Sequence, residues 1–224
     1  MRFLIAFLFV MFSFNFFARA SDRKEQTWSS LKISSAMNEQ MSLLGEIINR
    51  YSHDSDDFTT RSVRVGLQYK FENELKYAFI MENRTASSDA NDEIRIIHQL
   101  GYSWKLEKMK ISTRGRLEQR EFSDTRSIAN RIRARVKANG TGYEWKGLRP
   151  FGLVEYFYGA NEVPGRPEGG EELRLQAGVS FKALGGRASI SYLDRTVKTP
   201  SYQGAPSSET DYGIIDLGLS WKFK

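Results

Sequence analysis

Residues 110–137 decide the fold prediction, and their sequence is KISTRGRLEQREFSDTRSIANRIRARVK. Charged side chains occupy alternate positions in the first half, and the pattern repeats from residue 131 onward. Successive side chains of an extended strand point to opposite faces, so this alternation predicts two strands. The short polar connection at 123–126 predicts that they pair as an antiparallel hairpin.

One face of this hairpin is strongly basic. It carries six arginines, two lysines and one carboxylate, at Arg114, Arg116, Arg120, Arg131, Arg133, Arg135, Lys110, Lys137 and Glu118. The opposite face is modestly apolar. A soluble β-protein would turn the apolar face inward, whereas a transmembrane barrel turns it toward lipid and encloses the charges. The rest of the chain decides between these alternatives.

The chain begins with the pattern of a secretory signal. A basic start is followed by an apolar run at 3–17 and by Ala18-Arg19-Ala20. This ending predicts cleavage after Ala20, and the apolar run is shorter than the roughly 20 residues that a membrane-spanning helix needs. The predicted organisation is a cleaved signal peptide at 1–20, a flexible segment at 21–26 and a single β-barrel domain at 27–224.

Composition excludes two further classes of protein. The chain has no cysteine, which excludes a disulfide framework and lipid attachment to an N-terminal Cys. Removing Arg2 and Arg19 with the signal leaves 31 of the 33 basic side chains against 27 acidic ones, a net charge of about +4. This near balance, together with export, argues against a nucleic-acid-binding protein.

Short alternating segments follow one another along the exported part. The predicted strands are 27–36, 41–51, 61–71, 75–84, 92–104, 109–122, 126–138, 148–158, 171–182, 186–195 and 210–223. Their lengths match the 9–11 residues that a tilted membrane strand needs, with some overshoot. Most connections alternate between tight and long, as the periplasmic turns and external loops of outer-membrane barrels do. The tight ones are Met37–Gln40, Glu72–Glu74, Lys105–Lys108 and Ala183–Gly185.

Aromatic side chains collect on the apolar parity near the tight turns, where an interfacial girdle belongs. The predicted fold is therefore all-β, an antiparallel transmembrane (outer-membrane) β-barrel with a polar, charged lumen. Eleven segments are identified, but single-chain bacterial barrels have an even number of strands and periplasmic termini. We therefore expect ten strands, if 27–36 is not a full membrane strand, or twelve, if one strand is hidden. A soluble lipocalin-like barrel is the alternative fold.

Several short motifs resemble a known family. They are Trp28-Ser29-Ser30-Leu31, the ladder at 114–120 followed by 131–135, and Leu148-Arg149-Pro150-Phe151 leading to Glu155-Tyr156-Phe157-Tyr158. With the signal peptide, they resemble the bacterial outer-membrane barrels grouped as domain of unknown function 2490. The resemblance spans most of the exported chain and implies location and architecture, with no established activity. Such barrels often end on an aromatic residue, whereas Phe223 is penultimate here.

We expect no enzyme activity, no metal site and no cofactor. The chain has two histidines, and neither His53 nor His98 is accompanied by the serine motif that a hydrolase needs. The acidic segment with Asp54, Asp56 and Asp57 has oxygen ligands for a hard cation, but such segments are more often solvated. No helix follows the glycine-bearing segments, so a phosphate-binding loop is not predicted.

The arginine row is the candidate functional feature. A buried charge without a partner costs several kcal/mol, so the arginines need partners. Partners on the same parity are Glu46, Glu82, Glu118, Glu155, Glu172 and Asp216. Two interpretations stay open: an ion-pair ladder that closes a narrow barrel, or a basic stripe along a water-filled path that favours anions. The candidate lumen or solute-binding residues are Arg95, Arg114, Arg116, Glu118, Arg120, Arg131, Arg133, Arg135, Glu155 and Arg174.

The leading functional hypothesis is a narrow channel or solute-binding barrel in the Gram-negative outer membrane, biased to small anionic solutes. The alternative is a structural or surface-interaction barrel with a closed lumen, in which the external loops at 159–170 and 196–209 carry out the function. An outer-membrane lipid-modifying enzyme is a distant third. Arginines leave little room in so small a barrel, so a wide porin is not expected. The expected partners are outer-membrane lipid and lipopolysaccharide, the barrel-assembly machinery during biogenesis, and small anionic solutes.

Overall fold

The computed structural model describes residues 23–53, 58–86, 92–123, 127–163, 168–201 and 205–223. These residues form eleven β-strands. The strands are β1 Lys24–Ala36, β2 Met41–Ser52, β3 Phe58–Lys70, β4 Lys76–Ala86, β5 Glu93–Leu106, β6 Met109–Phe122, β7 Ile128–Asn139, β8 Arg149–Gly159, β9 Glu171–Ala183, β10 Gly186–Thr199 and β11 Ser208–Phe223. Neighbours in sequence pair with each other, and β1 pairs with β11 to close a barrel. Within the described ranges, no helix has the length and apolar character needed to cross a membrane.

The strand count of eleven corrects the predicted ten or twelve. The segment predicted at 27–36 is a complete strand that pairs with both β2 and β11. An odd number of up-and-down strands leaves the first and last running in the same direction, so β1 and β11 pair in parallel, with Trp28 opposite Asp216. The even-number rule caused the error, since all eleven segments had been identified. β1 begins at Lys24, inside the segment 21–26 predicted to be flexible.

The two faces of the barrel wall follow the predicted alternation. On β3, Val63 and Val65 point outward and are 44% and 57% exposed, while Arg64 between them is buried. On β5, Ile94 is exposed and its neighbour Arg95 is buried. Apolar side chains therefore cover the outside and charges fill the inside. This is the arrangement of a transmembrane barrel, and it is the inverse of a soluble one.

The two ends of the barrel differ. At the tight-turn end, turns of two to five residues join four strand pairs, and residues 140–148 join β7 to β8. The outward aromatic pairs Tyr69–Phe71 and Tyr102–Trp104 lie there, with ring centroids 4.8 Å and 5.8 Å apart. At the loop end, the connections are mostly longer. β1 starts at the loop end and β11 finishes at the tight-turn end, so the first and last strands do not place both chain ends on one side of the barrel, as two periplasmic termini would require.

Inward-facing apolar side chains form small clusters in place of a single core. The clusters are Trp28, Leu193 and Ile214; Ala78, Ile80 and Ile97; and Phe122, Ala129 and Val163. The third lies at the loop end, because Phe122 is the last residue of β6 and Ala129 is near the start of β7. Apolar packing therefore occupies part of the loop end, and charged side chains fill most of the remaining lumen.

Candidate functional site

Two chains of ion pairs run along the lumen wall. The first spans β1 to β6 and contains Lys32, Glu46, Arg64, Glu82, Arg95, Glu93, Arg84 and Arg120. Arg64 joins two carboxylates, with its Nη1 2.9 Å from Glu46 Oε2 and its Nε 2.8 Å from Glu82 Oε2. Arg95 continues the chain, with its Nη2 2.6 Å from Glu93 Oε2. Each arginine therefore bridges neighbouring strands.

The second ion-pair chain spans β6 to β10. It contains Arg131, Glu118, Arg133, Glu155, Arg114, Arg174, Glu172 and Arg195. Glu118 accepts hydrogen bonds from Arg133 and, at 2.6 Å, from Arg131 Nη2. Glu155 accepts from Arg114 Nη2 at 2.6 Å. Each ion-pair chain has five cations and three carboxylates, so both are net positive.

All ten residues predicted to face the lumen do so. Eight belong to the two ion-pair chains, and Arg116 and Arg135 lie outside them. Of the predicted partners, only Asp216 has no ion pair among the described residues; its Oδ2 accepts a hydrogen bond from Gln176 Nε2 at 2.7 Å. Sequence reasoning missed Glu93, although it shares the parity of Arg95. The alternation along β5 was the sequence signal that could have identified Glu93 as inward-facing.

A column of stacked cations and rings crosses the lumen, and we call it the Trp28 stack. Its members are Arg50, Trp28, Arg174, Phe157 and Arg133, on β2, β1, β9, β8 and β7. The guanidinium carbons lie 4.1 and 4.9 Å from the centroid of Trp28, and 4.3 and 4.2 Å from that of Phe157. Because β2 and β7 stand on nearly opposite sides of the barrel, the stack narrows the lumen.

The lumen opens at the tight-turn end into a cavity of about 920 Å³, which we call the vestibule. Among the described residues that line it, nine are cationic and one is a carboxylate: Lys32, Arg64, Arg114, Arg116, Arg135, Lys137, Lys182, Arg187, Lys222 and Glu46. A cavity of only about 140 Å³ lies at the level of the Trp28 stack. The lumen is therefore narrow at mid-height and basic toward the tight turns.

Three vestibule cations on the β6–β7 hairpin have no carboxylate partner in the part of the chain that the structure describes. Arg116 is 7% exposed, and its Nε donates to Gln99 Oε1 at 2.7 Å. Arg135 has a buried Nε without a hydrogen-bond partner among those residues. The Lys137 Nζ lies 4.1 Å from the centroid of the Phe151 ring. These cations can therefore interact with an anion that enters the vestibule.

The two histidines lie away from the vestibule. His98 faces outward, as its parity predicts, with Nδ1 2.8 Å from the hydroxyl of Tyr77. The Nε2 of His53 is 2.8 Å from Thr27 Oγ1 at the loop end. Asp54, Asp56 and Asp57, which were considered for a cation, lie outside the described residues. Within the described ranges, no group of three or more His, Asp or Glu side chains is placed to hold a metal ion.

The sequence profile of the family described as "Protein of unknown function (DUF2490)" matches residues 25–203. The chain belongs to this family. The match confirms the resemblance drawn from the Trp28 motif and the arginine ladders. The description of the family names no activity.

Two solved structures show a distant likeness to the chain: Pseudomonas aeruginosa OccK1 (OpdK), and Pseudomonas aeruginosa OpdK with vanillate. In each case the sequence identity is 10% and the TM-score is 0.35. The match covers 80% of this chain and 64% of the other, so the chain spans less than two thirds of the length of those proteins. No curated protein shows significant sequence similarity to the chain.

Proposed function

We propose that the protein is a β-barrel of the Gram-negative outer membrane that takes small anionic solutes into its lumen from the tight-turn end. The observation that carries this proposal is the vestibule, where, among the described residues, nine cations and one carboxylate line a cavity of about 920 Å³. A cleft lined by charges of one sign focuses the electric field and concentrates ions of the opposite sign. Rings of Arg and Lys select anions in pores by the same effect.

The outward face supports a membrane location. Its exposed side chains are apolar over most of the barrel height, and aromatic pairs lie near the tight turns. Outer-membrane barrels place their short turns in the periplasm, so the vestibule would open to the periplasm. Lipid and lipopolysaccharide are the proposed contacts of the outer face, and the barrel-assembly machinery is the proposed partner during biogenesis. The predicted signal peptide at 1–20 lies outside the described residues.

The unpaired vestibule cations give a second, independent argument. Arg116, Arg135 and Lys137 are inward-facing cations without a carboxylate partner among the described residues. An uncompensated charge in a protein interior costs several kcal/mol. Their presence is therefore accounted for if water and a diffusible anion neutralise them. No bond cleavage and no cofactor is part of this proposal.

One observation favours a second candidate function, a structural barrel with a closed lumen. The Trp28 stack and the two ion-pair chains leave a cavity of only about 140 Å³ at mid-height. Such a lumen would bind a solute at the tight-turn end without passing it across. The structural candidate explains the paired charges well. It does not explain the three cations of the β6–β7 hairpin that have no carboxylate partner among the described residues, and we therefore prefer a solute-binding barrel or a very narrow channel.

Planar-bilayer recording of the refolded protein across a salt gradient tests the proposal, with folding checked first by heat-modifiable migration on gels. A channel gives discrete conductance steps, with a reversal potential shifted toward the equilibrium potential of the anion. A solute-binding barrel is silent, but it binds anions in titration calorimetry. A cation-selective conductance, or silence together with no anion binding, would reject the proposal in favour of a structural barrel.

A further inference from the structure

We propose that the vestibule binds a small organic phosphate monoester, held on the β6–β7 wall by Arg116, Arg135 and Lys137. This inference rests on the proposed function and names the class of solute. It is carried by the position of these three cations, by their lack of carboxylate partners among the described residues, and by the volume and apolar side chains of the vestibule.

The β-sheet register brings the three cations close together. Arg116 faces Arg133 across the hairpin, Arg135 faces Arg114, and Lys137 faces Ser112. The three therefore occupy successive inward rows of two adjacent strands. Arg116 and Arg135 are diagonal neighbours on adjacent strands, about 7–8 Å apart, and Arg135 and Lys137 are two residues apart on β7, a separation of about 7 Å. Long, flexible arginine and lysine side chains span such separations, so the guanidinium of Arg135 can share one anion with the charged groups of Arg116 and Lys137.

The ion pairs nearby leave the three cations without compensation. Arg114 and Arg133 share Glu155, and Arg133 also bonds Glu118, so the carboxylates of this wall are already taken. Arg116 is held by Gln99 through its Nε, which leaves its terminal N–H groups for another acceptor. The buried Nε of Arg135 has no acceptor within the described ranges. Buried donors in native structures are nearly always hydrogen-bonded, which points to a ligand or water at this place.

The donor set matches a phosphate monoester. Guanidinium groups bind phosphate through two parallel hydrogen bonds, and lysine adds a point charge. A phosphate monoester offers three acceptor oxygens and a charge of about −1.5 to −2 at pH 7, against three cations here. A monoanion such as a phosphate diester would leave more of this charge uncompensated. The number of donors and the charge on this wall therefore favour a phosphate monoester over a monoanion.

The vestibule also has room for an organic group. Its volume of about 920 Å³ lies within the range of about 300–1,000 Å³ found for small-molecule sites. Leu44 and Ile80 are inward-facing apolar side chains among those that line it. The phosphate would lie on the β6–β7 wall and the organic part against these apolar side chains. Since the cations are inside the lumen, a soluble solute fits better than a lipid headgroup.

Titration calorimetry of the refolded barrel with glycerol 3-phosphate, in buffer free of chloride, tests the site. Arg116→Gln, Arg135→Gln and Lys137→Gln are each expected to weaken binding about tenfold, the usual effect of losing a hydrogen bond to a charged group. Arg187→Gln is the comparison within the same vestibule, because Arg187 lies on β10, three strands away from β7. We expect it to weaken binding less than any of the three, since it removes a charge from the cavity but no hydrogen bond to the phosphate.

Three comparisons separate the site from a general attraction of anions. Equal weakening by all four variants would overturn the assigned site and leave the basic vestibule of the proposed function intact. Succinate or dimethyl phosphate binding as tightly as glycerol 3-phosphate would overturn the phosphate-monoester class. Tighter binding of phosphatidate, added to the same micelles, would overturn the assignment to a soluble solute. Absence of binding by every anion would overturn the site, and together with a silent bilayer recording it would overturn the proposed function as well.

Discussion

Replacing Glu118 by Gln removes the carboxylate at the centre of the second ion-pair chain. Glu118 is completely buried, and it accepts hydrogen bonds from Arg131 at 2.6 and 2.9 Å and from Arg133. Removing one partner of a buried ion pair costs about 3–5 kcal/mol, because the remaining charge is left uncompensated. Arg133 keeps Glu155, with 3.1 Å between its Nη2 and Oε2, so Arg131 bears most of the loss.

We therefore expect Glu118→Gln to lower the free energy of unfolding by about 3–5 kcal/mol. The assay is reversible denaturation of the barrel in lipid vesicles, followed by tryptophan fluorescence. Glu107→Gln is the control, since that side chain is 89% exposed and 4.0 Å from Lys108, and it should leave the stability unchanged. A loss for Glu118→Gln below about 1 kcal/mol, the range of exposed ion pairs, would contradict the burial of this pair, because it would mean that water solvates the charges along the lumen wall.

Four further substitutions test other parts of the structure. Val65→Arg places a charge on the outward face at a position that is 57% exposed, and should cost about 2–4 kcal/mol in vesicles; no loss would argue against a lipid-facing wall. Trp28→Ala removes the ring between Arg50 and Arg174, and should raise the conductance in planar bilayers; unchanged conductance would mean that the Trp28 stack does not narrow the lumen. Arg116→Ser should reduce anion selectivity or anion binding while the melting temperature stays nearly constant. Arg133→Ser should lower the melting temperature, because Glu118 and Glu155 lose a partner. The reverse pattern would contradict the assignment of Arg133 as ion-paired and of Arg116 as lacking a carboxylate partner among the described residues.

Alternation along the strands made the fold predictable. The parity of Val63, Arg64 and Val65 was visible in the sequence, because a strand must place successive side chains on opposite faces. The same parity identified the ten inward-facing residues. The predicted strand number was wrong, because it followed the rule that such barrels have an even number of strands and did not accept the segment at 27–36 as an eleventh strand. Nothing in the local sequence of β1 specifies that it pairs in parallel with β11.

The internal arrangement of the lumen was only partly predictable. Parity shows that Glu118 and Arg133 share a face, but the pairing depends on register, which alternation does not fix. Trp28 and Phe157 gave no signal, because a single aromatic residue on the polar parity does not indicate what it stacks against. Only the structure shows that Arg116 and Arg135 lack a carboxylate partner among the described residues, because this requires knowing which arginine each neighbouring carboxylate binds.

Anion binding by the vestibule is tested most directly by locating a bound anion in crystals of the protein soaked in selenate, a tetrahedral dianion whose selenium gives an anomalous signal. We expect a selenium peak inside the vestibule, within hydrogen-bond distance of Arg116 or Arg135, and we expect this peak to disappear in Arg135→Gln. Peaks confined to the outer surface, or a vestibule without any anion at saturating selenate, would contradict the claim that this basic cavity binds anions.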